Sequence, residues 1–294
     1  MEYRYTGNAH HALVAAYEAD EPPFPVHEPR AAPETSHART ELDLLHRLLF
    51  PSCWNAYADH TDPDDVQETL TELGEQLIRG CRLYAAADAD PRDCISVVLD
   101  DLPEIRERLK RDVEAAYKGD PAAKSYLEVI RAYPGFHAIV AQRVAHELYT
   151  EGAHEYAREL TEAAKSDTGI DIHPGAEIGD YFFVDHGTGV VVGETATIGD
   201  WCRLYQNVTL GALHFEEQEG ADHALKKGYK RHPDIGDHVV IGAGTNVLGA
   251  ITVGDHVSIG ANSWITENVP ANTTVYVSEH PDQERKSNGC ETRD

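Results

Sequence analysis

Residues 172–213, written six at a time, read IHPGAE, IGDYFF, VDHGTG, VVVGET, ATIGDW, CRLYQN and VTLGAL. The first column holds Ile172, Ile178, Val184, Val190, Ala196, Cys202 and Val208. After an interruption the pattern resumes as IGDHVV, IGAGTN, VLGAIT, VGDHVS, IGANSW and ITENVP, headed by Ile235, Ile241, Val247, Val253, Ile259 and Ile265. A small aliphatic or thiol-bearing residue every sixth place, often followed by glycine, is the signature of a parallel β-helix. Each coil has three short strands, each strand sends one aliphatic side chain inward, and turn-tolerant residues sit at the corners.

The interruption, from Leu213 to Pro233, cannot join the coil stack, and a protrusion of this size from a solenoid is usually functional. Lys226, Lys227, Lys230 and Arg231 place 4 of the chain's 25 basic residues in six positions there, which suits an anion. Upstream the period is helical. Leu42, Leu45, Leu48 and Leu49 make one stripe, and Asp62-Pro63 supplies an N-cap and first-turn proline for a helix with Val66, Leu70, Leu73, Leu77 and Ile78. Pro103 opens a segment ended by Gly119, Asp120-Pro121 starts another, and a helical pattern runs from Phe136 to about Ala164. Prolines 22, 23, 25, 29 and 33 break up the first forty residues. The expected organisation is a mobile leader (1–40), a helical domain (41–165), the β-helix (166–277) with its 213–233 loop, and a polar tail (278–294). The fold class is α+β: an all-helical domain followed by a left-handed parallel β-helix of hexapeptide repeats.

The 25 Lys+Arg against 51 Asp+Glu give a formal charge of −26 over 294 residues, so nucleic acid and anionic membranes would be repelled. Only 8 of the basic residues are lysine, a balance that suits a salt-rich cytoplasm. Neither a membrane-length apolar run nor a signal core is present in the sequence, and a cytoplasmic location is expected. The five cysteines, 53, 81, 94, 202 and 290, form no C-x-x-C pair and read as core thiols.

Histidine is the side chain best suited to move a proton near neutral pH. Among 17 histidines, His186 stands out. It lies in Val184-Asp185-His186-Gly187-Thr188-Gly189, where glycines allow close approach to the ring. Asp171, 15 residues earlier and almost one coil away, could orient it; surface residues at coil corners are the alternative. Zinc is weighed on His214, His223, His232, His238 and His256, but none has tight ligand spacing, and no metal is expected.

Asp171-Ile172-His173-Pro174, the run Asp185 to Thr195 (DHGTGVVVGET), Val208-Thr209-Leu210-Gly211 and Lys230-Arg231-His232-Pro233-Asp234-Ile235 resemble the serine O-acetyltransferases in order and spacing. Asp120-Pro121 and Gly135-Phe136-His137 match that family's helical domain, and the similarity covers about residues 110–272. The resemblance implies transfer of acetyl from acetyl-CoA, a co-substrate rather than a resident cofactor, to the hydroxyl of L-serine. It makes His186 the general base, Asp171 its orienter, and Arg231, His232, Asp185 and Asp120 the grip on serine. Charge chemistry agrees, since an amino acid needs a cation for its carboxylate and carboxylates for its ammonium. A backbone N–H near Gly211 would hold the oxyanion, and Lys226, Lys227 or Lys230 would draw the CoA phosphates.

Another hexapeptide acetyltransferase, acting on homoserine or a sugar, is the nearest rival; a γ-class carbonic anhydrase and a non-catalytic scaffold are more distant ones. About four coils leave broad flat faces and a half-built site, so a homotrimer through the β-helix, doubled into a hexamer by residues 41–165, is expected. Many family members dock a C-terminal isoleucine into cysteine synthase. This chain ends Cys290-Glu291-Thr292-Arg293-Asp294 without the usual Gly-Val-Pro-Ala turn, which leaves a cysteine synthase complex without its family anchor.

Overall fold

The structure, a computed structural model, describes residues 37–54, 62–84, 90–218, 220 and 223–277. The expected leader up to residue 36 and the tail with Cys290 lie outside these. Among the described residues seven helices come first: α1 (His37–Leu49), α2 (Pro51–Trp54), α3 (Pro63–Cys81), α4 (Arg92–Gly119), α5 (Tyr126–Ala132), α6 (Pro134–Thr150) and α7 (His154–Thr168). Residues 37–40, read as leader, belong to α1. The Asp62 carboxylate caps α3 by accepting from the Asp64 N–H at 3.0 Å, with Pro63 in the first turn, as the dipeptide predicts.

Three helix boundaries differ from the sequence reading. Pro103 lies inside α4 rather than opening a helix. Ile95, Val98, Leu102, Ile105 and Leu109 are buried on both sides of it. At about 1.5–3 kcal/mol per buried side chain, that stripe outweighs the roughly 3 kcal/mol cost of an interior proline. Asp120 starts no helix: it ends α4 in an extended conformation, and Ser125 caps α5 instead, its hydroxyl accepting from the Glu128 N–H at 3.1 Å. Finally, Gly152 at φ +90° splits the 136–164 stretch into α6 and α7.

A buried carboxyl lies at the heart of the helices. Glu41 on α1 is fully buried, accepts from the Tyr156 hydroxyl at 2.5 Å and faces His37 at 3.3 Å. Burial pushes its pKa from 4.5 up to about 8; Glu159 adds to this, while Tyr156 and Arg79 oppose it. A carboxyl whose folded pKa is raised is neutral in the fold and ionised in the unfolded chain between these two values. The stability it allows is therefore complete below pH 4.5 and is lost as the pH rises toward 8. Glu41→Gln, an uncharged mimic of the acid, is expected to gain on wild type across that window, by a few kcal/mol at most. Thermal melts at pH 4.5 and pH 8 check this; equal differences at both pH values would contradict it.

Fourteen strands of two or three residues follow: β1 (Asp171–Ile172), β2 (Glu177–Ile178), β3 (Phe183–Val184), β4 (Val191–Val192), β5 (Thr197–Ile198), β6 (Arg203–Leu204), β7 (Thr209–Gly211), β8 (Asp234–Ile235), β9 (Val240–Ile241), β10 (Asn246–Leu248), β11 (Thr252–Val253), β12 (Ser258–Ile259), β13 (Trp264–Ile265) and β14 (Thr274–Val275). They form three parallel sheets in the orders β1-β4-β7-β10-β13, β11-β8-β5-β2 and β14-β12-β9-β6-β3, the three walls of a prism.

The register slips once. Asp171 pairs with Val191, a coil of 191 − 171 = 20 residues, whereas β8 to β11 advances by 252 − 234 = 18. The inward residues after β3 are therefore Val192, Ile198, Leu204 and Leu210, paired on the stack with Ile172, Ile178, Val184 and Val192. Val190, Ala196, Cys202 and Val208, in the column read from the sequence, are buried at the corners instead. The two extra residues fall in the turn that carries His186.

The two halves are pinned by a buried ion pair. Arg143 on α6 donates to Asp112 on α4 from Nε at 2.6 Å and Nη2 at 2.9 Å, and also to the carbonyls of Ile178 and Gly179. Asp112 in turn accepts from the Phe182 N–H at 2.8 Å. Among the described residues, no helix is long and apolar enough to cross a membrane.

Candidate active site

His186 lies in the turn between β3 and β4, at the edge where the third wall meets the first. Its φ is +60°, and its side chain is 69% exposed. The turn closes on itself: Gly187 N–H donates to Asp185 O, Thr188 N–H to His186 O, and Gly189 N–H to Gly169 O. Gly187 and Gly189 both sit at φ +81°. A Cβ at Gly187 would lie 2.4 Å from Ile170 Cδ1, and one at Gly189 would lie 2.2 Å from Asn207 Oδ1. These glycines are thus required by the coil's own packing, not by room for a ligand.

Asp185 and Asp120 join His186 at this edge. Asp185 lies 3.7 Å from the imidazole. Asp120, in the link from α4 to α5, accepts from the Tyr133 hydroxyl at 2.5 Å and the Ala122 N–H at 2.7 Å. Those two hydrogen bonds hold its carboxyl below the usual range, with His186 and Arg203 adding to them. Asp185 goes the other way: burial pushes it up, and the Asp120 charge contributes, although His186 opposes. Two neighbouring carboxylates driven apart in this way form a site that an ammonium would satisfy.

Asp171 is not on His186 within the chain. Its carboxylate faces α7, 2.8 Å from Lys165 Nζ and 3.1 Å from Arg158 Nη1. Burial would raise its pKa, but these two partners outweigh burial and hold it low.

Arg231 and His232 occupy a different edge, where the first wall meets the second. Arg231 donates to Glu194 at 2.5 Å, and Glu194 also accepts from the Tyr149 hydroxyl at 2.9 Å. His232 Nδ1 accepts from the Thr195 N–H at 3.0 Å. Burial, then the Arg231 charge, lowers the His232 pKa to about 4, so the ring is neutral with its proton on Nε2, a donor. A Cβ at Gly193 would overlap this Nε2 at 2.2 Å, which is why glycine stands there. The wall between the two edges, residues 190–193, spans on the order of 13 Å at about 3.3 Å per residue.

The loop lysines are less free than their sequence suggests. Lys226 pairs with Glu216 at 2.6 Å; Lys230 pairs with Asp234 and donates to the Thr195 carbonyl at 2.6 Å. Lys227 makes no ion pair among the described residues. Gly211 ends β7, and its carbonyl accepts from the Gly249 N–H at 2.9 Å. No group of three or more His, Cys, Asp or Glu side chains that could hold a metal occurs among the described residues.

Sequence reasoning missed Tyr133, Arg203 and Glu194. Glu194 lay in the quoted DHGTGVVVGET run, and only its position opposite Arg231 on the next coil reveals its role. Tyr133 is one residue before the Pro134-Gly135 break, with no signal that its hydroxyl reaches back to Asp120.

Residues 81–141 match the family model described as serine acetyltransferase, N-terminal, and residues 232–267 match bacterial transferase hexapeptide (six repeats). Over 260 residues the chain is 42% identical to a serine acetyltransferase (plasmid) of Synechococcus elongatus, covering 86% of this chain and 76% of that protein. The crystal structure of serine acetyltransferase isoform 3 from Entamoeba histolytica, in complex with cysteine, superposes with a TM-score of 0.77 at 46% identity, covering 95% of this chain and 94% of that one. A Neisseria gonorrhoeae serine acetyltransferase in complex with serine gives 0.55 at 29% identity over 79% and 92%. With its acidic pair beside an exposed histidine on a hexapeptide prism, and with relatives of this identity and coverage, the chain belongs to the serine acetyltransferase family of acyltransferases.

Proposed function

We propose that the protein moves acetyl from acetyl-CoA to the hydroxyl of L-serine, giving O-acetyl-L-serine and CoA, with His186 as general base. The observation that carries this reading is the gathering of Asp120, Asp185 and His186 at one edge: two carboxylates for an ammonium beside a base for a hydroxyl. His186 takes the hydroxyl proton as the serine oxygen attacks the thioester carbonyl. The tetrahedral intermediate then expels CoA thiolate, which recovers the proton from the imidazolium. The oxyanion falls near Gly211, whose missing side chain keeps the wall low. No acyl-enzyme is needed, and the described thiols would make poor nucleophiles: burial pushes Cys81 and Cys202 up to about 12 and also raises Cys53 and Cys94.

Serine cannot bridge the 13 Å or so between the two edges of one protomer. Arg231 and His232 therefore reach the carboxylate from a neighbouring protomer of a trimer, and Asp171 serves as orienter across the same boundary. CoA runs along the groove so formed, with Lys227 the first lysine open to its phosphates, since Lys226 and Lys230 would have to leave Glu216 and Asp234. This places the enzyme at the precursor step of cysteine synthesis in the cytoplasm.

A thiol-release assay with acetyl-CoA tests the acceptor class. L-Serine is expected to far exceed L-homoserine and sugars; a sugar as best acceptor would contradict the reading. Arg231→Lys keeps the charge but loses the guanidinium fork, and Asp120→Asn loses the charge on the ammonium side. Both are expected to raise the serine KM roughly 10-fold or more with the acetyl-CoA KM unchanged. A shift confined to the acetyl-CoA KM would move these residues to the CoA groove.

A further inference from the structure

We infer that the helical domain contains a second small-molecule site: a cavity of about 550 Å³ between α1, α2, α6 and α7, suited to a small uncharged molecule that carries a hydroxyl. Its walls include His46, Trp54, His137, Leu42, Pro134 and Ala164. Its volume is in the range of ordinary ligand pockets.

Two buried nitrogens make it a site rather than a gap. His46 Nε2 meets His137 Nδ1 at 3.0 Å, which leaves His46 Nδ1 without a hydrogen-bond partner among the described residues although His46 is only 7% exposed. Trp54 Nε1 is likewise buried and unpaired among them. Leaving such groups unsatisfied costs about 1–3 kcal/mol each, so something should bind them. The three rings lie close, with centroids 5.2 Å apart for His46 and Trp54 and 5.9 Å for Trp54 and His137.

The donor set selects the ligand. Burial, reinforced by His137, takes the His46 pKa down to about 4, and burial lowers His137 too, so both rings are neutral at pH 7. One hydrogen is shared between them, and His46 Nδ1 is a donor or an acceptor according to which ring supplies it. The indole N–H only donates. A hydroxyl accepts from Trp54 and serves His46 in either role, whereas a carboxylate cannot donate and an ammonium cannot accept. The apolar walls and the rings hold the carbon body.

The cavity also lies behind the acceptor site. Ala132 and Pro134 line it and flank Tyr133, whose hydroxyl holds Asp120. Occupancy would thus be felt as a change in serine affinity, a consequence that rests on the serine-site reading above; binding itself does not.

Calorimetry on the full chain with phenol and benzene as probes tests the site. Phenol is expected to bind at least about 10-fold more tightly than benzene, and Trp54→Phe and His46→Phe are each expected to erase that preference. Equal affinities, no phenol binding because the cavity holds water only, or a preference unchanged in both variants would overturn the site. Saturating phenol should also move the serine KM by about fivefold in wild type but not in Trp54→Phe. Selective phenol binding with an unmoved serine KM would sink the link through Tyr133 alone.

Discussion

A His186→Ala protein is expected to keep its fold and lose about 10²–10⁴-fold in kcat, the range a positioned general base contributes, with both KM values near wild type. The side chain is 69% exposed, so its removal opens no cavity. The residue's positive φ does tax alanine by about 1–2 kcal/mol, and His186→Asn, better suited to the left-handed region, should lose the same activity without that strain. Asp171→Ala should cost less, because it removes an orienter and not the proton acceptor. Steady-state kinetics on the three variants, each checked by thermal melting, measure this; full activity in His186→Asn would end the mechanism.

The second large effect is on stability. Arg143 and Asp112 are 1% and 0% exposed, so Arg143→Met strands a charge in the seam between helices and prism. Removing one partner of a buried pair typically costs about 3–5 kcal/mol, here a fall in Tm of roughly 10 °C. Adding Asp112→Leu should recover only part of the loss, since the Phe182 N–H and the Ile178 and Gly179 carbonyls remain without these partners. A Tm unchanged in Arg143→Met would show that packing alone holds the seam.

What the sequence makes legible depends on how local its cause is. The hexapeptide columns from Ile235 to Ile265 report inward strand positions because nothing between them alters the coil length. Within DHGTG two extra residues shift the frame, and a column of small aliphatics tolerates this silently, since Val190 and Ala196 are buried at corners as readily as Val192 and Ile198 on strands. Pro103 misleads because its penalty is local while the stripe that overrides it is tertiary. Asp120 looks like an N-cap because Asp-Pro is one elsewhere, at Asp62-Pro63; the difference is that its carboxylate answers to Tyr133 and Ala122 instead. The acidic half of the site was legible as motifs. Its separation from Arg231 and His232 was not, because motif order says nothing of which prism edge each turn occupies, and Asp171's turn toward Lys165 and Arg158 depends on where α7 lies.

The central claim is that serine is acetylated between protomers, with the base from one and the guanidinium from another. Co-expression of His186→Ala with Arg231→Ala chains tests it, because each mixed oligomer then contains interfaces with both residues intact. Each variant alone is expected to be nearly inactive with serine and acetyl-CoA, while the random mixture should recover about a quarter of wild-type kcat, the share of interfaces that pair an intact His186 with an intact Arg231. A mixture no more active than the mean of its two components would contradict the account.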